Sequence, residues 1–150
     1  MSVFQAVVAY GHDLSPTEEY TPDGTLFHVP GDLVFYDTAT QTMKKCGANP
    51  ALIAAISELT SQQAKLITPN GKVPYKVLTA NTVCKMPCSV APSELNVGLV
   101  YGVVNVSGIW QVNFADVVNT RLIVLRVVIG EDSAYVRFLP ANLQFDAVLS

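Results

Sequence analysis

Three thiols and two imidazoles have the widest chemical reach in this 150-residue sequence. Cys84 and Cys88 stand four positions apart in the run Cys84-Lys85-Met86-Pro87-Cys88. Structural zinc sites join such a couple to a second couple of ligands. Here the second couple could come only from Cys46 with His12 or His28, far upstream. The plainer reading is that Cys46, Cys84 and Cys88 are free thiols packed in a core or interface, since cysteine is among the most often buried residues. An odd cysteine count also argues against a disulfide-built secreted domain and fits assembly in a reducing cytoplasm. His12 sits beside Asp13 in a turn-like segment, and His28 alternates with Phe27 and Val29 before Pro30-Gly31. Neither has a second candidate ligand at a useful spacing. No metal and no cofactor are expected.

The acids give no catalytic pair either. Asp32 and Asp37 flank one expected strand and Asp116 follows another. Glycoside chemistry needs two carboxyls projecting into one cleft, whereas acids beside turns usually form the turns. The sequence contains no Gly-x-x-x-x-Gly-Lys-[Ser/Thr] or Gly-x-Gly-x-x-Gly phosphate loop and no Gly-x-Ser-x-Gly elbow. The expectation is a protein that is not an enzyme.

What such residues would be mounted on is indicated by composition. Hydrophobic residues make up 50% of the chain and charged residues 14%, against about 25% charged in an ordinary soluble domain. So little charge leaves neutral, apolar surface that is best tolerated when a partner covers it. A net charge of −3 with scattered basic residues excludes the electrostatic footprint of a nucleic-acid binder. No apolar run approaches the ~20 residues of a membrane-spanning helix, and no secretory leader is visible. The chain length suits one domain, 1–150, with a two-lobe division near residues 80–97 as the alternative.

The punctuation is that of an all-β protein, a small sandwich or barrel, in which a jelly roll is one option. Pro22-Asp23-Gly24 and Pro69-Asn70-Gly71 have the Pro-Asx-Gly order of tight turns. Strands are expected at Val3–Tyr10, Leu33–Tyr36, Thr42–Cys46, Ile53–Glu58, Lys65–Thr68, Val73–Leu78, Leu99–Val106, Ile109–Phe114, Arg121–Ile129, Tyr135–Leu139 and Leu143–Leu149. Ser107-Gly108 joins one hairpin, and Gly130-Glu131-Asp132-Ser133 joins another. Asn49 to Gln63 is the one helix candidate, with Asn49 as cap and Pro50 at the first position. The strand Ile53–Glu58 competes with it. Thr79–Asn96, with Pro87 and Pro92, reads as a long loop. Consecutive apolar residues in Leu122-Ile123-Val124-Leu125 imply a strand covered on both faces.

Aromatic residues are more suggestive than polar ones. Tyr101, Trp110 and Phe114 share an expected hairpin, Phe4 and Tyr10 mark the first strand, and Phe138 and Phe145 lie near the C-terminus. Aromatics are enriched in interface cores, and the interface reading fits Trp110 best, beside Gln111 and shortly after a turn. The terminal strands, with Val3, Val7 and Leu143, are expected to act as extended arms that pair with a neighbouring copy. Alternatively, Trp110 and Tyr101 form a stacking platform for a carbohydrate or other small ligand.

The segment from Val29 to Glu58 carries a resemblance. It opens Pro30-Gly31-Asp32-Leu33-Val34, passes through a short strand, a polar turn and a second strand, and ends Leu52-Ile53-Ala54-Ala55-Ile56-Ser57-Glu58. This pattern resembles the small β-rich capsid decoration, or cement, proteins of tailed bacteriophages, with Ala54 or Ala55 where those proteins often carry glycine. The resemblance covers about 30 of the 150 residues. It implies a virion protein without catalytic residues, made in the host cytoplasm and placed on the capsid exterior. It also implies a homotrimer or homodimer that binds the major capsid protein and stabilises the assembled lattice. A tail or fibre-base module of similar β composition is the nearest alternative.

Overall fold

Two antiparallel sheets account for the eleven strands in the described part of this computed structural model, which comprises residues 5–10, 17–23, 29–58 and 71–145. The strands are β1 (Val7–Tyr10), β2 (Thr17–Tyr20), β3 (Leu33–Asp37), β4 (Thr42–Lys45), β5 (Ala55–Ser57), β6 (Val73–Val77), β7 (Val83–Pro87), β8 (Val100–Val106), β9 (Ile109–Asn113), β10 (Leu122–Val128) and β11 (Ser133–Phe138). The six-stranded sheet runs β1-β7-β11-β10-β8-β9 and the five-stranded sheet β2-β6-β5-β3-β4. The chain is therefore all-β and sandwich-like, as its turns and β-branched runs imply.

Each sheet curls without closing into a barrel. The Ser89 N–H donates to the Val112 carbonyl at 2.9 Å, bringing β9 back to the chain that leaves β7. In the other sheet, the Met43 N–H donates to Thr21 O at 2.8 Å and the Asp23 N–H to Met43 O at 2.9 Å. The segment after β2 thus lies along β4.

Strand alternation explains two cores. On β3, Leu33 and Phe35 point one way, Val34 and Tyr36 the other. The first face joins Ile53, Ile56 and Leu78 to Cys84, Met86, Trp110, Leu122 and Phe138 in one core shared by both sheets. The second face places Val34, Met43, Ala55, Val73 and Tyr75 in a smaller core inside the five-stranded sheet.

The hairpins β8–β9 and β10–β11 form where their turns predict. Ser107 and Gly108 both have positive φ, 52° and 87°, the mirror-image turn that suits strand twist. At residues 55–57 the strand prevails over the helix, and Ala55 and Ile56 pair with Val34 and Leu33. The expected strand Lys65–Thr68, residues 59–63 of the expected helix, and Pro69 and Asn70 of the expected turn lie outside the described residues.

Two expectations are corrected, and one strand is added. The proposed loop Thr79–Asn96 contains β7, an interior strand hydrogen-bonded to β1 and β11. The chain changes sheets at residues 78–82, and the larger core draws side chains from both sheets. β2, with the polar sequence Thr17-Glu18-Glu19-Tyr20, was not among the expected strands and forms by pairing with β6. In the described part of the expected C-terminal strand, residues 143–145, only a single bridge from Leu143 to Ile53 forms, just after a 3-10 turn at Pro140–Asn142. This stretch is stitched into the molecule. The Ile53 N–H donates to Asn142 O at 2.8 Å and the Gln144 N–H to Ile53 O at 2.9 Å. Residues 146–149 of the expected strand lie outside the described residues.

Candidate interaction surface

The residues with chemical potential are spent on structure. The Asp32 carboxylate accepts the Val29 N–H at 2.9 Å, holding the turn in front of β3, and lies 3.5 Å from Lys45 Nζ. Asp37 accepts the Ala39 N–H at 2.9 Å in the β3–β4 turn. Asp116 Oδ1 accepts the N–H groups of Val118 and Asn119 at 3.1 and 2.9 Å. Cys46, Cys84 and Cys88 are buried, and burial pushes each thiol up to about 12. Such thiols are poor nucleophiles near neutral pH. Among the described residues no cluster of three or more His, Cys, Asp or Glu could hold a metal ion; His12 and His28 lie outside them.

A cleft of about 500 Å³ opens at the seam between the sheets, lined by Pro30, Asp32, Lys45, Cys46, Asn105 and Trp110 among others. Its acid is already engaged by a backbone N–H and an ammonium, and its thiol is protonated. Among the described residues its lining mixes apolar and polar side chains.

The expected interface residues fall into three groups. Val7 is exposed on β1. Tyr101, Trp110, Phe138 and Leu143 are no more than 5% exposed and belong to the chain's own shared core. This corrects the expectation that Trp110 faces a partner: on β9, Ile109 and Gln111 point outward while Trp110 and Val112 alternate inward. Neither Trp110 nor Tyr101 presents an open ring face on which a sugar could stack. Phe114 is half-buried, its ring 4.9 Å edge-on to Tyr101. Phe145 is half-buried, stacked on Tyr20 at 5.8 Å beside Tyr36. Tyr10 lies in β1, and Val3 and Phe4 lie outside the described residues.

A different surface stands out. Between Leu95 and Thr120 the sequence has one charged residue, Asp116, and that carboxylate is held in its own turn. Exposed large apolar side chains gather in this stretch: Leu95, Val97, Leu99, Val100, Val117 and Val118, with Leu95 86% and Val118 83% exposed. Two turns present them, one leading into β8 and one joining β9 to β10. Both are tied to the Tyr101-Gly102 step of β8. Asn96 Nδ2 donates to the Tyr101 hydroxyl at 3.0 Å, the Arg121 N–H to Tyr101 O at 2.8 Å and the Gly102 N–H to Asp116 O at 2.9 Å. The approach at Gly102 is so close that a Cβ there would lie 2.5 Å from Asp116 Oδ2 and 2.9 Å from Asn119 O. The sequence signal for this face was its missing charge, which composition registered only as an average over the chain.

Comparison with family models, curated proteins and solved structures finds no match to this chain. No helix among the described residues is long and apolar enough to cross a membrane.

Proposed function

We propose that this chain is a structural virion protein, a homo-oligomeric decoration protein that binds the assembled head of a tailed phage and stabilises its lattice. The observation that carries this reading is the neutral, apolar face around Leu95 and Val118. Large apolar side chains left in solvent in such number favour association. The segment that resembles decoration proteins supports it. Gly31-Asp32 leads into β3, β3 pairs with β4 across a polar turn, and the apolar β5 returns beside β3. Many copies, each with a modest contact, would lock a lattice through multivalency.

Cosedimentation with assembled heads lacking the protein, followed by heat or low-salt challenge, tests the reading. Binding at a fixed stoichiometry per head, with heads that survive longer, is expected. Binding to isolated tails alone would assign the chain to a tail or fibre base, and binding to neither would end the virion reading.

A further inference from the structure

We propose that the outer face of the β10–β11 hairpin, built on Arg126, Arg137 and Tyr135, binds a carboxylate-bearing segment of a partner protein. The proposal goes beyond the decoration reading and holds whether or not that partner is a capsid shell.

Strand register makes this one surface. Arg126 on β10 stands opposite Tyr135 on β11, and Tyr135 stands opposite Lys85 on β7. Paired residues share a face of the sheet, so these three form a row across it. Arg137 follows Tyr135 by two positions on the same face, opposite Ile123. Arg126 and Arg137 are therefore diagonal neighbours across the strand pair, near enough for long side chains to converge. A β-bulge interrupts the register between Val124 and Arg126, and both Leu125 and Arg126 are exposed there. Bulges re-aim side chains in this way. The re-aimed guanidinium lies over the Tyr135 ring, with Cζ 4.1 Å from the ring centroid.

The cations of this face are not equivalent. Lys85 is matched by Glu131 at 2.7 Å. Arg126 and Arg137 are exposed, and among the described residues neither has an ion pair or a hydrogen bond. Arg121 shows the alternative. Its guanidinium donates to Thr120 O at 2.9 Å and to the Pro50 carbonyl, so it is occupied within the chain. Two unmatched arginines side by side, in a chain of net charge −3, are complementary to an anion from outside. A guanidinium held against a ring still presents its N–H edge, which fits a carboxylate with two parallel hydrogen bonds. Arg and Tyr are also the residue types that most often anchor protein interfaces.

The surroundings favour a protein over a nucleic acid. Exposed Val7 stands opposite Lys85, exposed Val100 stands opposite Ile123, and exposed Leu125 adjoins Arg126. Apolar side chains around two charges suit a mixed protein surface. A phosphate backbone is held by a longer track of cations. Among the described residues the one further cation in this row, Lys85, is already paired.

Fluorescence anisotropy and amide chemical-shift mapping of the full chain test this. The probe is a labelled oligoglutamate peptide, compared with oligoglutamine, inorganic phosphate and a single-stranded oligonucleotide. Oligoglutamate should bind, shift the amides of β10 and β11, and bind less well as salt is added. An Arg126→Gln, Arg137→Gln double variant should bind it at least about 10-fold more weakly. A Lys72→Gln, Lys76→Gln variant loses the same charge elsewhere and should bind as the wild type does. Arg126→Lys should also weaken binding, because lysine lacks the planar fork and its stacking. Both arginines are exposed, so all these variants should melt close to the wild type. No oligoglutamate binding at millimolar peptide, shifts confined to other strands, equal weakening in the Lys72, Lys76 variant, or undiminished binding by Arg126→Lys would each overturn the proposal. Tighter binding of phosphate or the oligonucleotide to this face would overturn it in favour of a phosphate ligand. None of these measurements uses a phage head, so a failure of head binding removes the decoration reading and leaves this result standing.

Discussion

The five-stranded sheet and the β8–β10 region solve opposite problems with the same strands. The first has apolar side chains on both faces and finds cover for each within the chain. Leu33 and Ile56 enter the shared core, and Val34, Ala55 and Tyr75 the smaller one. Its charges sit around this double core, with Lys44 on Asp37 at 2.8 Å and Lys45 beside Asp32. The second covers one face with the shared core and leaves apolar side chains bare. Among the described residues, Val7, Val29 and Leu52 are the only large exposed apolar side chains outside Val90–Ile129. Apolar content alone therefore does not indicate a docking surface. Its meaning depends on whether the topology supplies a second layer.

Core truncation gives the largest expected effects and separates the two cores. Leu122 and Met43 are both fully buried, Leu122 in the shared core and Met43 in the smaller one. Leu122→Ala and Met43→Ala should each cost about 2–5 kcal/mol. Their reach should differ. Leu122→Ala is expected to speed amide exchange in β10, β11 and β3 together, because all three face one core. Met43→Ala should speed exchange in β3, β4 and β6 and spare β10 and β11. Equal loosening everywhere would mean that the smaller core has no independence.

Gly102→Ala probes the join between β8 and the Asp116 turn. The added methyl would meet Asp116 Oδ2 and the Asn119 carbonyl, and crowding of this kind costs about 1–3 kcal/mol. Denaturant unfolding should show the loss of stability. A variant as stable as the wild type would show that the turn yields freely.

How much of this was legible in sequence follows from how local each feature is. Hairpins β8–β9 and β10–β11 were readable because their turns are contiguous and use positive-φ positions, Ser107-Gly108 in one and Gly130 with Asp132 in the other. β7 was not. Pro87 and Pro92 suggested a loop, whereas its place is decided by β1 and β11, which flank it from opposite ends of the chain. β2 lacks an apolar stripe because it is an exposed strand beside β6 and owes its form to pairing. Trp110 was read as outward from its polar neighbour, although strict alternation along β9 turns it inward. The cluster of Tyr20, Tyr36, Tyr75 and Phe145 is assembled from four distant points of the chain, and no spacing announces it.

Gln144 tests whether that distant closure matters. Its side chain acts as a short strand on Tyr36, accepting the Tyr36 N–H at 2.7 Å and donating to the Tyr36 carbonyl at 2.7 Å. Gln144→Ala leaves two partly buried backbone groups without these partners, a loss of about 1–3 kcal/mol. The change should also alter near-ultraviolet circular dichroism from the tyrosines, since Phe145 follows directly and stacks on Tyr20. An unchanged spectrum and stability would reduce the C-terminal stitch to a bystander.

The ion pairs should matter least, and equally in both sheets. Hydrogen bonding to Lys44 holds the Asp37 carboxyl below its ordinary range, and hydrogen bonding to Lys85 does the same for Glu131. The ammonium groups of Lys44 and Lys85 are raised in turn by those carboxylates. A lowered carboxyl pKa gives stability that is complete above the unfolded value of about 4 and is lost as pH falls through the folded value. A raised lysine gives stability that is complete below the unfolded value of about 10.4 and is lost as pH rises through the folded one. The contribution of each pair should therefore be flat through neutral pH and fade at both extremes. Both pairs are partly open to solvent, where such contacts are weak and salt-sensitive. Glu131→Gln should shift the denaturation midpoint slightly at pH 7 and not at pH 2.5, and added salt should shrink the pH 7 difference. Asp37→Asn should behave the same way in the other sheet. A markedly larger loss for Glu131→Gln would mean that Lys85, which also lies 5.6 Å from the Tyr135 ring centroid, depends on Glu131 for that packing.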